Sequence, residues 1–148
     1  MTSLRVLRRT GLAVLFALAP LTAQAASSKL DLVERATTDT VTDLGASGDS
    51  AGDVLTFANE IYDAKNKAKV GSDQGWCIRV VVGETWECFW TLILEKGQIT
   101  VEGPFNDKGD SVLAVTGGTG NYVGARGQMM LHARNDKGTE YDFKYQLK

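Results

Sequence analysis

The sequence predicts an all-β fold, an eight-stranded antiparallel barrel closed around an apolar pocket. Three observations predict it. Past residue 25 the chain is a series of short runs rich in β-branched and aromatic residues, several of them alternating with period two. The connections between these runs are mostly short, and no amphipathic helical stretch is available to make a parallel crossover. An antiparallel barrel or sandwich follows, and about eight strands in some 120 residues favour closure, because closure leaves no exposed edge.

The elements run in this order. Residues 1–25 read as a signal peptide: Arg5, Arg8 and Arg9 form a basic head, residues 12–21 an apolar run, and Ala23-Gln24-Ala25 the small-x-small pattern before cleavage. Ten apolar residues are too few for a membrane-spanning helix, which takes about 20. Residues 26–148 then form a single β domain, expected to be secreted or periplasmic. A first strand covers 29–35, and the Thr/Ser/Gly/Asp-rich stretch 37–52 reads as a mobile surface loop beside a pocket mouth. Within 53–62, Leu55, Phe57 and Ile61 alternate with smaller or more polar residues, as in one half-buried strand. Residues 63–75 carry Lys65, Lys67 and Lys69 and read as a solvated loop. Strands over 76–82 and 86–94 meet at Gly83-Glu84, read as a two-residue turn. Further strands cover 98–103 and 111–115, and a last hairpin joins 127–134 to 139–147 through Asp136-Lys137-Gly138. Its final strand alternates most regularly, with Tyr141, Phe143, Tyr145 and Leu147 on one face.

Charge narrows the partners. The whole chain has a net charge of −2; the leader holds three of its 16 basic residues and none of its 18 acidic ones, leaving the mature part at −5. A mildly acidic domain without a Lys/Arg cluster argues against nucleic acid, and nothing after the leader resembles a membrane span. His132 stands alone, so no Cys/His spacing suits a metal, and no Ser/His/Asp set supports nucleophilic catalysis. The glycine-rich run over 116–127 lacks the Gly-Lys-Ser/Thr of a phosphate loop and the spacing of a dinucleotide fingerprint. Its glycines are expected at a barrel corner, where they allow positive φ and close backbone approach. No cofactor or metal is expected.

Two polar residues fall on apolar faces. Glu34 shares parity with Leu30 and Leu32, and Asn59 with Leu55, Phe57 and Ile61. Buried polar groups must be paired, so each is either a satisfied structural group or part of a site. In the functional alternative, Glu34 supplies charge or a proton in an apolar cavity, and Asn59 orients a substrate oxygen. Cys77 and Cys88, the only cysteines, suit a disulfide in an exported chain. A two-residue turn would set Cys77 opposite Trp90 and Cys88 opposite Arg79, so the cysteines lie on a diagonal too wide for a bridge. A one-step change of register would make them face each other; two buried thiols are the alternative. Arg79 shares this face, as an anion anchor if the face is interior or as a plain surface arginine if it is exterior.

Three segments together resemble the allene oxide cyclase and dirigent superfamily. Gly52-Asp53-Val54-Leu55-Thr56-Phe57-Ala58-Asn59-Glu60-Ile61-Tyr62 resembles the Gly-Asp-Leu-Val-Pro-Phe-x-Asn-x-Leu-Tyr segment of plant allene oxide cyclases. Gly97-Gln98-Ile99-Thr100-Val101-Glu102-Gly103-Pro104-Phe105 is a second match, and Gly117-Gly118-Thr119-Gly120 with Ala125-Arg126-Gly127 also resembles dirigent proteins. The resemblance implies an eight-stranded barrel, lipocalin-like in shape, with an apolar cavity and a homotrimeric assembly. It implies a role for Glu34 in polarising the reacting system, and cavity positions for Leu55, Phe57, Asn59, Cys77 and Trp86. The sequence departs from the cyclase pattern at Ala36, where the family has Asn, and at Phe105, where it has Tyr.

The reading that follows is a secreted barrel that binds a small hydrophobic or amphipathic molecule and steers its cyclisation or coupling. Glu34 and Asn59 are its expected polar anchors, with Leu55, Phe57, Cys77, Arg79, Trp86, Trp90 and Phe105 as ligand-binding residues. The alternatives are a non-catalytic carrier of such a ligand and an interaction protein whose barrel is filled.

Overall fold

In a computed structural model that describes residues 28–148, the chain forms a closed antiparallel barrel. The expected leader over residues 1–25 lies outside the described residues. The described residues form ten strands: β1 (Ser28–Arg35), β2 (Thr40–Thr42), β3 (Val54–Phe57), β4 (Glu60–Asp63), β5 (Lys69–Val81), β6 (Thr85–Leu94), β7 (Gly97–Asn106), β8 (Ser111–Gly118), β9 (Gly127–Ala133) and β10 (Glu140–Leu147). Pairing runs β1–β10–β9–β8–β7–β6–β5, and β4 joins β5 back to β1. β3 and β4 lie along different parts of β5 and together make one interrupted stave, so the barrel has eight staves. β2 pairs only with β3, outside the closed ring.

Three local readings are corrected. The strand expected over 53–62 is broken at Ala58 and Asn59. There the Ala58 amide donates to Thr38 Oγ1 at 2.8 Å, while Asn59 pairs through its backbone with Asp73. The loop expected over 63–75 is partly strand, because β5 already starts at Lys69. Its interior-facing positions include Gly71, Asp73 and Gly75, a pattern with little apolar signal. A Cβ on Gly75 would overlap the Phe89 carbonyl oxygen, so glycine lets β5 and β6 close tightly at Trp90. The β5–β6 connection is also longer than two residues. Val81 faces Thr85, Gly83 takes φ +71°, and the register slips between Arg79 and Val81. The longer connection and the bulge each move the register by one residue, so Cys77 faces Cys88 rather than Trp90 and the two form a disulfide.

The barrel interior is filled at one end. Leu92, Ile99, Val101, Leu113 and Met129 are fully buried there. Burying each stabilises the fold by roughly 1.5–3 kcal/mol relative to leaving it exposed. The glycine-rich run closes this end through a short 3-10 turn, Gly120–Tyr122, and a Cβ on Gly120 would overlap the Lys96 carbonyl oxygen. The other end, around Glu34, Phe57 and Phe105, is incompletely filled and holds the cavity described below.

The disulfide bridges residues 11 apart in sequence. Chain-entropy loss in the unfolded state predicts a stabilisation of about 3 kcal/mol for a loop of this length. Denaturant unfolding of the oxidised protein and of the Cys77→Ser/Cys88→Ser variant is expected to differ by about that amount, without loss of the β-sheet spectrum.

Candidate active site at the open end of the barrel

β5 and β6 present a ladder of interior pairs: Asp73 with Leu92, Gly75 with Trp90, Cys77 with Cys88, and Arg79 with Trp86. Above the filled end, this ladder and the neighbouring staves enclose a cavity of about 90 Å³. Of the residues singled out in the sequence, Glu34, Leu55, Phe57, Cys77, Trp90 and Phe105 line it. Sequence reasoning missed Asp39, Cys88, Leu131, Tyr141 and Phe143, which line it too. The parity of Tyr141 and Phe143 in the last strand was visible; that their end of the strand borders a cavity was not.

Glu34 is 5 % exposed, and Asn59 and Asp73 are each 1 % exposed. Asn59 organises the group. Its Nδ2 donates to Glu34 Oε1 at 2.9 Å and to Asp39 Oδ1 at 2.8 Å. Its Oδ1 accepts from the Thr37 and Thr38 amides, both at 3.0 Å, and from Thr38 Oγ1 at 2.9 Å. The backbone of Asn59 exchanges two 3.0 Å hydrogen bonds with Asp73. Asn59 does not line the cavity; it holds Glu34 and the 37–39 segment in place.

Asp73 was not anticipated. Its Oδ1 has a long 3.3 Å hydrogen bond from the Asn59 amide, and its Oδ2 is buried without an N–H donor. The Glu34 and Asp73 carboxyls lie within hydrogen-bonding reach of each other. Two buried carboxyls in contact are stable when they share a proton. Burial, and then the charge of Asp73, push the Glu34 carboxyl well above the ordinary glutamate range, against the pull of the Asn59 hydrogen bond. Burial lifts Asp73 to about 7, with its hydrogen bonds to Glu34 and Asn59 opposing the rise. The pair therefore carries a proton near neutral pH. Tyr141 is raised to about 12 by burial and then by the charges of Glu34 and Asp39, which keeps it a neutral phenol. Beneath these groups, Trp90 Nε1 and the Tyr145 hydroxyl are buried near one another without a well-formed hydrogen bond.

Arg79 and Trp86 sit one ladder step beyond the disulfide and are not among the cavity-lining residues. The Arg79 guanidinium is 4.0 Å above the Trp86 ring. It donates to Asp49 at 2.7 Å and to both oxygens of Asp107 at 2.8 Å. Read from the sequence as an anion anchor if interior or a plain surface arginine if exterior, it is buried and enclosed by two carboxylates of its own chain. His132 is exposed and pairs with Asp110 at 2.6 Å, away from the cavity.

Fold and site together define a barrel with a small aromatic-walled cavity and a proton-holding carboxyl pair at its base. The chain belongs to the allene oxide cyclase family, whose model, described as allene oxide cyclase, matches residues 30–135. Among solved structures, a pyocyanin demethylase is similar over 82 % of this chain and 100 % of its own, at 22 % identity and a TM-score of 0.71. An exo-specific intermolecular Diels-Alderase matches over 83 % of this chain and 98 % of its own, at 14 % identity and a TM-score of 0.67. A pterocarpan synthase dirigent protein matches over 83 % and 94 %, at 13 % identity and a TM-score of 0.67. At these identities the likeness is one of fold.

The carboxyl pair predicts a pH dependence of stability. A carboxyl whose pKa is raised by folding stabilises the folded state fully below its unfolded pKa, near 4, and loses that contribution as pH rises through its folded pKa. Asp73, raised to about 7, places the loss between about pH 4 and 7. Carboxylates with lowered pKa, such as the buried Asp53 and the half-buried Asp63, act in the opposite direction, so the comparison must be made against a variant. Wild-type Tm relative to that of Asp73→Asn is expected to fall as pH is raised across this window; a constant difference would contradict the shared proton.

Proposed function

We propose that this is an exported barrel that binds a small hydrophobic or amphipathic molecule and steers its cyclisation or coupling by confining it. The observation that carries the reading is the Glu34 carboxyl, held by Asn59 at the base of a cavity walled by Phe57, Trp90, Phe105, Tyr141 and Phe143. Aromatic walls supply apolar contact and fixed shape, and holding a reactant near its reactive conformation lowers the entropic part of the barrier. A protonated Glu34 can donate a hydrogen bond to an oxygen or nitrogen that gains negative charge, and as a carboxylate it can stabilise positive charge. Likeness of fold to a Diels-Alderase and a dirigent protein supports a reaction of this kind.

The inner cavity admits one end of a ligand. A wider groove of about 470 Å³ lies beyond it, between the β7–β8 and β9–β10 connections. The two share Phe105, Leu131 and Tyr141, so a longer molecule can extend outward from one into the other. Leu55, Phe57 and Phe105 are wall positions, while Asn59 acts through Glu34. Glu34→Gln is expected to reduce turnover of a bound substrate at least 100-fold while changing its Kd only a few-fold. Product analysis and titration calorimetry check this. Unchanged yield and stereochemistry in that variant would leave a carrier rather than a cyclase.

The assembly we propose is a homotrimer, as the family resemblance implies. Trp76, Ile78, Val80 and Val82 form an apolar stripe on the outer face around β5, with Val80 55 % exposed. Such a stripe on an exported protein supports contact with further copies. Native mass spectrometry of the exported protein should give a chain beginning near Ala26 and three copies per particle. Ile78→Glu/Val80→Lys is expected to yield monomers.

A further inference from the structure

The charges around the cavity are one-sided. Glu34 and Asp39 line it, Asp73 lies within hydrogen-bonding reach of Glu34, and among the described residues no Lys, Arg or His lines it. Buried carboxyls are ordinarily paired with a cation of the same chain. Both nearby guanidiniums are committed elsewhere. Arg35 lies over the Tyr62 ring, 3.6 Å from its centroid, and donates to the Asn66 side chain and carbonyl, both at 3.0 Å. Arg79 is enclosed by Asp49 and Asp107 over Trp86. Asn59 gives its two amide protons to Glu34 and Asp39, so Asp73 Oδ2 is left without an N–H donor or a cation of its own chain. The opposing walls are the rings of Phe57, Trp90, Phe105, Tyr141 and Phe143. Aromatic faces attract cations, most strongly where water is excluded.

We infer that the cavity selects small organic cations, protonated or quaternary amines on an aromatic or apolar body, over neutral and anionic molecules of the same shape. The inference rests on the ligand-binding reading above and names the class of molecule which that site takes. The ring or apolar body occupies the space between Phe57, Trp90 and Phe105. The nitrogen faces Glu34 and Asp39, with the Tyr141 phenol beside them. Binding favours the carboxylate form of Glu34, so the proton held between Glu34 and Asp73 passes to solvent as the cation enters, and the buried charge stays balanced. A carboxylate ligand finds no counter-ion at this end and meets only like charge.

The test uses a shape-matched set: phenyltrimethylammonium, tert-butylbenzene, in which carbon replaces the charged nitrogen, and benzoate. Titration calorimetry on the mature, disulfide-bonded protein at pH 6.5 is expected to show the cation binding at least tenfold more tightly than the hydrocarbon. Benzoate is expected to bind more weakly than both. Repeating the cation titration in buffers of different ionisation enthalpy should reveal proton release. Glu34→Gln and, at the exposed mouth, Asp39→Asn are each expected to reduce the cation's advantage several-fold while leaving tert-butylbenzene affinity within about twofold. Retained hydrocarbon binding serves as the check that the variants are folded. If tert-butylbenzene or benzoate binds as tightly as the cation, the charge selection is overturned and the ligand pocket stands. If none of the three binds the folded protein, the pocket reading fails, and the inference with it.

Discussion

The amide of Asn59 is where the barrel's wall and its chemistry meet. It lies at the break between β3 and β4, where the stave leaves its regular ladder. Five hydrogen bonds converge on its side chain: two leave Nδ2 for Glu34 and Asp39, and three arrive at Oδ1 from Thr37 and Thr38. Its backbone meanwhile locks to Asp73 on β5. One residue thus joins β1, β5 and the segment that crosses the cavity mouth. Replacing it would leave several buried groups without partners, at about 1–3 kcal/mol each, so truncation disturbs the barrel wall and the carboxyl cluster together.

Electrostatics at the site follow from what the fold withholds. A buried glutamate beside an arginine would ionise and settle into a structural pair. Here Arg35 and Arg79 are each held by other partners, leaving the carboxyls to share a proton between themselves. The enclosure of Arg79 has a second effect. By binding Asp49 from the 37–52 stretch and Asp107 after β7, it ties two connections together at the rim. Asp53 does similar work within that stretch, accepting hydrogen bonds from the Leu44 and Ser50 amides and the Ser50 hydroxyl.

Much of the fold was legible because burial imposes alternation. The last strand, the β6 run and the parity of Glu34 and Asn59 all translate directly into interior-facing positions. Local polarity misled in one segment. Residues 69–75 contain two glycines and an aspartate on the interior face, so no apolar rhythm betrayed a strand whose role is close approach and carboxyl pairing. Asp73 was hidden for that reason. The disulfide register was missed because a three-residue connection and a bulge each shift pairing by one residue, and bulges carry no dependable side-chain signature. Arg79 was correctly placed on the cysteine face; its two acidic partners come from loops whose paths the sequence does not reveal.

The uneven filling of the barrel has a consequence for how such a protein can diversify. Leu92, Ile99, Val101, Leu113 and Met129 occupy the packed end, and Leu55, Phe57 and Phe105 sit at the open one, only partly buried. Substitutions at the latter three reshape the chamber without opening voids in the former. The shape of the chamber can therefore change by exchange of a few rim side chains, while the scaffold's thermodynamic foundation is inherited unchanged.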